Sequence, residues 1–123
     1  MKQKIIDING LKIAVIEQDL VSSNPPIIYI HGWLDNSASF HSLMPLIKSH
    51  HGLAIDLPGH GLSSHIPLSS YYHFIDGVSQ IISLLTKLNY DNYILIGHSL
   101  GGCLASIIAG SIPSKISKLI LLD

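Results

Sequence analysis

The sequence predicts a single α/β domain, built on a mostly parallel sheet with helices on both faces. Short apolar runs alternate with helical patterns along the chain, which is the order that right-handed β-α-β crossovers produce. The 123 residues are 47% hydrophobic and only 12% charged, so the chain is less charged than a typical soluble domain. Strands that are covered on both faces explain this balance, because neither face meets water.

The predicted strands begin with a hairpin. Residues 4–9 and 11–17 flank Asn9-Gly10, a pair that favours a tight primed turn. The run Ile27–Ile30 is wholly apolar, which predicts a buried strand. Further strands are predicted at 52–55, 93–96 and 116–122.

Helices are predicted between these strands. The clearest covers 71–88, where apolar side chains recur at i, i+3, i+4 and i+7. Ser70 is the predicted N-cap of this helix, and Asn89 is expected to end it in a left-handed conformation. A second helix is predicted at 100–111. A third begins at the capping residues 35–37 and is ended or kinked by a proline.

Charge and cysteine content exclude several classes of function. The formal net charge is −1 and the basic residues are scattered, which argues against a nucleic-acid partner. The single cysteine, Cys103, rules out an internal disulfide and a cysteine-based metal cluster. We expect it to be a small buried hydrophobe.

Neither a signal peptide nor a membrane span is expected. Residues 1–7 alternate charged and apolar side chains, without a continuous apolar segment. The stretch 93–114 lacks Asp, Glu, Lys and Arg, but Gly97-His98-Ser99 lies within it. Because such residues are costly at mid-membrane and weaken a helix, the prediction is a soluble, cytoplasmic protein.

A nucleophile motif lies between a predicted strand and a predicted helix. The segment 97–101 reads Gly-His-Ser-Leu-Gly, matching G-x-S-x-G, in which a strained turn projects the serine hydroxyl above the sheet. The bare pattern arises by chance in many proteins, but its position here is the one that the mechanism requires. Ser99 is therefore the candidate nucleophile.

A second motif supplies a candidate oxyanion donor. His31-Gly32-Trp33 directly follows the predicted strand at 27–30. Acyl transfer needs two backbone N–H donors, one after the nucleophile and one from such an earlier loop. The candidates are the N–H groups of Leu100 and Trp33. We interpret His31 as orienting the loop, and the Trp33 ring as lining the pocket or core.

A third motif, Asp56-Leu57-Pro58-Gly59-His60-Gly61-Leu62-Ser63, follows the strand at 52–55. Its turn residues predict a defined loop. We interpret Asp56 as structural, because an aspartate that caps a turn is commoner than a catalytic one.

The segments HGW, DLPGHGLS and GHSLGG, in this order, resemble the α/β-hydrolase superfamily. The longer runs HGWLDNSASF and ILIGHSLGG are similar to its serine hydrolase-like proteins. The resemblance implies an eight-stranded core, of which six strands are present. It also implies hydrolysis of an ester, thioester or related acyl bond in a small-molecule substrate, with Ser99 as nucleophile, Trp33 and Leu100 as oxyanion donors, and no cofactor or metal. Epoxide hydrolases and dehalogenases of the superfamily carry Asp at the elbow, so Ser99 argues against those activities.

The pattern departs from the superfamily after the sixth strand. The superfamily order is serine, acid, then histidine, yet no histidine follows Ser99. His31 is the only upstream histidine expected near the pocket, and so the only candidate for a substitute general base. Asp123 could be an acid only with a histidine partner. We therefore expect residues 1–123 to be the N-terminal portion of a single domain, truncated after the sixth strand, with an unpaired apolar edge and little activity alone.

Two hypotheses remain open from the sequence. One is a serine hydrolase whose histidine and acid lie outside this chain. The other is a catalytically inactive hydrolase-fold remnant or binding module. The sequence predicts neither the substrate nor the oligomeric state.

Overall fold

The computed structural model describes residues 1–123 and contains one six-stranded sheet, in the spatial order β1-β2-β4-β3-β5-β6. The strands are β1 (Lys2–Ile8), β2 (Leu11–Gln18), β3 (Ile27–Ile30), β4 (Gly52–Ile55), β5 (Tyr93–His98) and β6 (Ile116–Leu122). The helices are α1 (Asp76–Leu88) and α2 (Leu100–Ser111). Short 3-10 helices cover Ser37–Phe40, Met44–Leu46 and Pro113–Lys115.

The opening hairpin forms as predicted. Strands β1 and β2 pair antiparallel, and β2 pairs antiparallel with β4. Asn9 and Gly10 both have positive φ, 56° and 88°, as a type I′ turn requires. The Asp7 carboxylate accepts the Gly10 N–H at 2.8 Å, which closes the turn.

The four strands β4, β3, β5 and β6 are parallel, which confirms the predicted fold class. All residues of β3 and β4 are buried. On one face, α1 and α2 pack on the larger apolar cluster, which includes Ile28, Leu95 and Ile108. On the other face, Phe40 and Met44 from the 3-10 segments close the smaller cluster.

Helix α1 is shorter than predicted, because it begins at Asp76 rather than at residue 71. Ser70 is therefore not its cap, and no side chain caps its first turn. Residues 71–75 belong to the loop that precedes α1, and the Tyr72 hydroxyl accepts the N–H of Ile66 there at 3.0 Å. The predicted end is confirmed, since Asn89 is left-handed (φ 59°).

The prediction of an α-helix from residues 35–37 onward is also wrong. Two 3-10 helices form instead, and the second carries a proline in its first turn. The capping prediction holds at Asn36, whose side-chain oxygen accepts the Ala38 N–H at 2.9 Å. A proline cannot donate an N–H, so a continuous α-helix is interrupted there.

The last strand and Cys103 lie at the surface. Strand β6 pairs only with β5, which agrees with the prediction of an unpaired edge. Its apolar side chains are partly exposed, and Leu121 is 56% exposed. Cys103 is exposed on α2, so the expectation of a buried cysteine is wrong. None of the helices combines the length and apolarity needed to cross a bilayer.

Candidate active site

The motif loops meet where the parallel strands β3, β4 and β5 end, because parallel strands present their carboxyl ends at one edge. His31 follows β3, Asp56 follows β4 and Ser99 follows β5. A Cβ built on Gly32 would lie 3.3 Å from the Ser99 Cβ. The Leu57 N–H donates to His31 Nε2 at 3.0 Å. The structure therefore brings the three sequence motifs together.

Ser99 occupies a strained turn between β5 and α2. Its φ and ψ are 53° and −118°, a combination that costs a non-glycine residue roughly 1–3 kcal/mol. Its N–H donates to the Leu122 carbonyl at 3.3 Å, and its own carbonyl accepts N–H groups from Gly102 and Cys103. These bonds hold the turn, and the serine is left exposed.

Two motif glycines are sterically required at this turn. A Cβ on Gly97 would overlap the carbonyl oxygen of Gly101, and a Cβ on Gly101 would overlap the carbonyl oxygens of Ile30 and His31. Backbone therefore packs on backbone where α2 starts above β3. The next residue, Gly102, has room for a methyl group, with its nearest neighbours at 3.4 and 3.5 Å.

His31 is fully buried, with 0% of its surface exposed. Its Nδ1 lies 2.6 Å from the Gly32 carbonyl oxygen, and its Nε2 lies 3.0 Å from the Leu57 nitrogen. A carbonyl only accepts and a backbone N–H only donates, so the ring is the neutral tautomer with its proton on Nδ1. Burial lowers the pKa of His31, against the raising effect of the Gly32 carbonyl.

This arrangement decides between two interpretations of His31. A general base for Ser99 needs a free ring nitrogen within hydrogen-bond reach of the hydroxyl. Both nitrogens of His31 are already bonded to backbone groups. The structure supports His31 as an orienting residue and not as a substitute base.

The loop after His31 makes a tight turn. The Asp35 N–H donates to the Gly32 carbonyl at 3.3 Å, and Leu34 has a positive φ of 60°, which are features of a type II turn. Glycine is the usual residue at the third position of such a turn, but this chain has Leu34 there, so nothing in the sequence indicated the turn. The Trp33 and Leu100 N–H groups donate to no turn, loop or cap carbonyl.

Asp56 holds its own loop together, which agrees with its structural interpretation. Its Oδ1 accepts the Ser37 N–H at 2.7 Å, and its Oδ2 accepts the Leu62 N–H at 2.8 Å. The Ser63 hydroxyl donates to the Asp56 carbonyl oxygen at 2.5 Å. Gly61 has a positive φ, and a Cβ there would overlap the carboxylate. Backbone N–H groups thus occupy both carboxylate oxygens, and Asp56 as a whole is only 4% exposed.

A cavity of about 580 Å³ opens beside the turn at Ser99. Trp33 and Leu100 both line it, and the Trp33 side chain is 72% exposed. Residues 71–74, which the sequence assigned to a helix, supply aromatic side chains to the same wall. The signal that could have identified this wall is the cluster of three aromatic residues beside a glycine- and serine-rich loop. The apolar lining residues include Trp33, Leu34, Leu57, Phe74, Leu100 and Leu104.

Fold and site geometry place this chain in a known class. The model of the alpha/beta hydrolase fold family matches residues 25–123. The chain belongs to that family.

Curated relatives narrow the comparison. Over 100 residues the chain is 49% identical to a protein of Drosophila melanogaster named probable serine hydrolase, covering 80% of this chain and 30% of that protein. It is 42% identical over 101 residues to a serine hydrolase-like protein of Mus musculus, covering 81% of this chain and 32% of that one. The chain therefore spans about a third of the length of these relatives.

Solved structures agree with this placement. A hypothetical protein of Pseudomonas aeruginosa superposes with a TM-score of 0.89 at 30% identity, covering 100% of this chain and 43% of that one. A thioesterase domain from the curacin biosynthetic pathway superposes with a TM-score of 0.87 at 31% identity, covering 99% and 46%. An epoxide hydrolase of Vigna radiata reaches 0.88 at 22% identity, covering 99% and 39%, and so shows the fold alone.

Alanine at two adjacent glycines tests the close packing of α2. Gly101→Ala forces a methyl group into the carbonyl oxygens of Ile30 and His31, so we expect a loss of roughly 1–3 kcal/mol in the free energy of unfolding. Gly102→Ala meets ordinary contacts and removes a helical glycine, so we expect no loss and a gain of up to about 1 kcal/mol. Urea unfolding of both variants measures the difference, and equal stabilities would contradict the packing described.

The buried neutral state of His31 predicts a pH dependence of stability. Burial holds the pKa of His31 below its ordinary value of 6.5, so the unfolded chain binds the proton more tightly than the folded one. The resulting stabilisation is complete above pH 6.5 and is lost as the pH falls through the folded-state pKa. Unfolding free energies measured from pH 7.5 to 5 should fall less steeply in His31→Gln than in the wild type. Parallel curves would contradict a neutral, buried His31.

Proposed function

We propose that this chain supplies the nucleophile and the oxyanion donors of a serine hydrolase that cleaves an ester, thioester or related acyl bond. The observation that carries the proposal is the backbone of Ser99, held at positive φ between β5 and α2. Strain of this kind persists where the surrounding structure enforces it, and it is concentrated at functional sites.

The reaction follows from the arrangement of the three candidate residues. The Ser99 oxygen attacks the acyl carbon, its proton passes to a general base, and negative charge develops on the former carbonyl oxygen. The Trp33 and Leu100 N–H groups donate to that oxyanion, and the amino end of α2 favours the same charge. Collapse of the intermediate expels the alcohol or thiol as it takes up the proton. Water then hydrolyses the acyl-enzyme and frees Ser99.

The general base and its acid partner belong, in this proposal, to residues outside the 123 described here. No histidine follows Ser99 in the sequence, and both nitrogens of His31 are bonded to backbone groups. The matched relatives are about three times as long as this chain, which leaves room for both groups. Because loss of the base costs several orders of magnitude in rate, we expect these residues alone to be nearly inactive.

The cavity favours an apolar substrate of small size. Its volume of about 580 Å³ falls in the range of small-molecule sites, and most of its exposed lining is carbon. The names of two related proteins, a serine hydrolase and a thioesterase domain, agree with acyl transfer.

A second candidate function is a hydrolase-fold binding module without turnover. The apolar cavity of about 580 Å³ beside Ser99 favours it, because such a site binds a small molecule whether or not the serine is reactive. In that case the apolar cavity binds a ligand that the protein does not cleave. The two candidates differ in one property, the reactivity of the Ser99 hydroxyl.

Labelling with a fluorophosphonate probe tests the nucleophile in the full protein that contains these residues. We expect Ser99→Ala to abolish labelling, because the probe reacts with the activated hydroxyl. Ser106→Ala is the matched control, since that hydroxyl lies on α2, the helix that follows Ser99, and donates to the Gly102 carbonyl at 2.8 Å. Labelling should persist in the control. If Ser99→Ala is labelled as strongly as the wild type, Ser99 is not the nucleophile. If neither the wild type nor either variant is labelled, the binding module is favoured.

A further inference from the structure

We infer that His31 is a positioning residue that directs the Trp33 N–H toward the oxyanion by holding the Gly32 carbonyl oxygen, and that it links this peptide to the loop after β4. The inference rests on the proposed function, in which the Trp33 N–H is an oxyanion donor. His31 acts through the peptide group and touches no substrate.

The geometry of the Gly32–Trp33 peptide is the first step. The chain has no cis peptide bond, so the carbonyl and the N–H of this planar unit point in opposite directions. The carbonyl oxygen accepts from His31 Nδ1 at 2.6 Å and from the Asp35 N–H at 3.3 Å. The shorter bond is the stronger constraint. Fixing the oxygen on one side fixes the direction of the N–H on the other.

The position of this peptide relative to the nucleophile is the second step. A Cβ on Gly32 would lie 3.3 Å from the Ser99 Cβ and 3.5 Å from the His98 carbonyl oxygen. The peptide therefore lies directly beside the turn at Ser99. Its N–H has no turn, loop or cap acceptor, and a small rotation of the plane would change the direction in which it points.

The orientation of the imidazole ring is the third step. The Leu57 N–H holds Nε2 at 3.0 Å, and Leu57 follows Asp56, whose carboxylate is anchored by two backbone donors. Hydrogen bonds therefore run from the anchored loop through one imidazole to the Gly32 carbonyl. The ring is fully buried and cannot rotate without breaking both bonds.

Protonation of His31 would disrupt this linkage. A second ring proton on Nε2 would face the Leu57 N–H, so two donors would oppose each other. The titratable groups whose charge acts on the ring are His60, with ring centroids 5.2 Å apart, and the carboxylates of Asp56 and Asp35. Acid should therefore misalign the peptide without any change at Ser99.

Two substitutions separate the two bonds of His31. His31→Asn keeps a donor near the position of Nδ1, and His31→Gln keeps an acceptor near the position of Nε2. If the bond to Gly32 directs the N–H, His31→Gln should lower kcat for a short-chain p-nitrophenyl ester about tenfold or more, with KM nearly unchanged. His31→Asn should lower kcat clearly less. A His31 that only stabilises the fold predicts the same kcat for both variants.

Tyr93→Phe is the matched control in the full protein. The Tyr93 hydroxyl accepts the Tyr90 N–H and donates to the Leu85 carbonyl, so this variant loses two hydrogen bonds of a buried side chain, one more than either His31 variant. Tyr93 begins β5, at the opposite end of the strand from Ser99. We expect Tyr93→Phe to lower the melting temperature and to leave kcat unchanged.

The possible outcomes distinguish failure of this inference from failure of the proposed function. If the wild type turns over through Ser99 and both His31 variants match its kcat, the inference is overturned and the proposed function stands. If the wild type shows no Ser99-dependent turnover, both are overturned. Nitrogen-15 NMR adds a readout independent of activity, because it reports which ring nitrogen carries the proton. We expect the proton on Nδ1 of His31, and a proton on Nε2 alone would refute the inference.

Discussion

The strained backbone of Ser99 is the constraint on which the rest of the site depends. A serine at φ 53° and ψ −118° is stable only when its neighbours leave no relaxed alternative. Here the Leu122 carbonyl accepts the Ser99 N–H, and the Ser99 carbonyl accepts N–H groups from the first turn of α2. Gly101 allows α2 to approach β3 closely enough to keep the turn sharp. The hydroxyl, the amino end of the helix and the cavity thus take their positions from one local conformation.

Much of the sheet could be predicted because its signals are local and chemical. Asn9-Gly10 predicted the primed turn, and the apolar run Ile27–Ile30 predicted the buried central strand. Helix α1 could not be delimited from apolar spacing, because side chains that line a cavity produce the same pattern as a buried helix face. Residues 71–74 are the example: their spacing predicts a helix, and in the structure they line the cavity.

The residues of the candidate site could be predicted from the sequence, but the hydrogen bonds between their loops could not. The motifs named Ser99, Trp33 and Leu100 as catalytic candidates, and those roles remain predictions. The left-handed Leu34 and the two hydrogen bonds of His31 depend on contacts between loops far apart in sequence. No periodicity or motif encodes such contacts. His31 shows the consequence, since its sequence context left two roles open and its neighbours favour one.

A crystal structure of the full protein with Ser99 phosphonylated tests the central claim most directly, because the phosphonyl oxygen occupies the place of the oxyanion. The account predicts that this oxygen lies about 2.7–3.1 Å from the nitrogens of both Trp33 and Leu100. It also predicts that the Gly32 carbonyl remains bonded to His31. A phosphonyl oxygen directed away from these two nitrogens, or held by other donors, would contradict it.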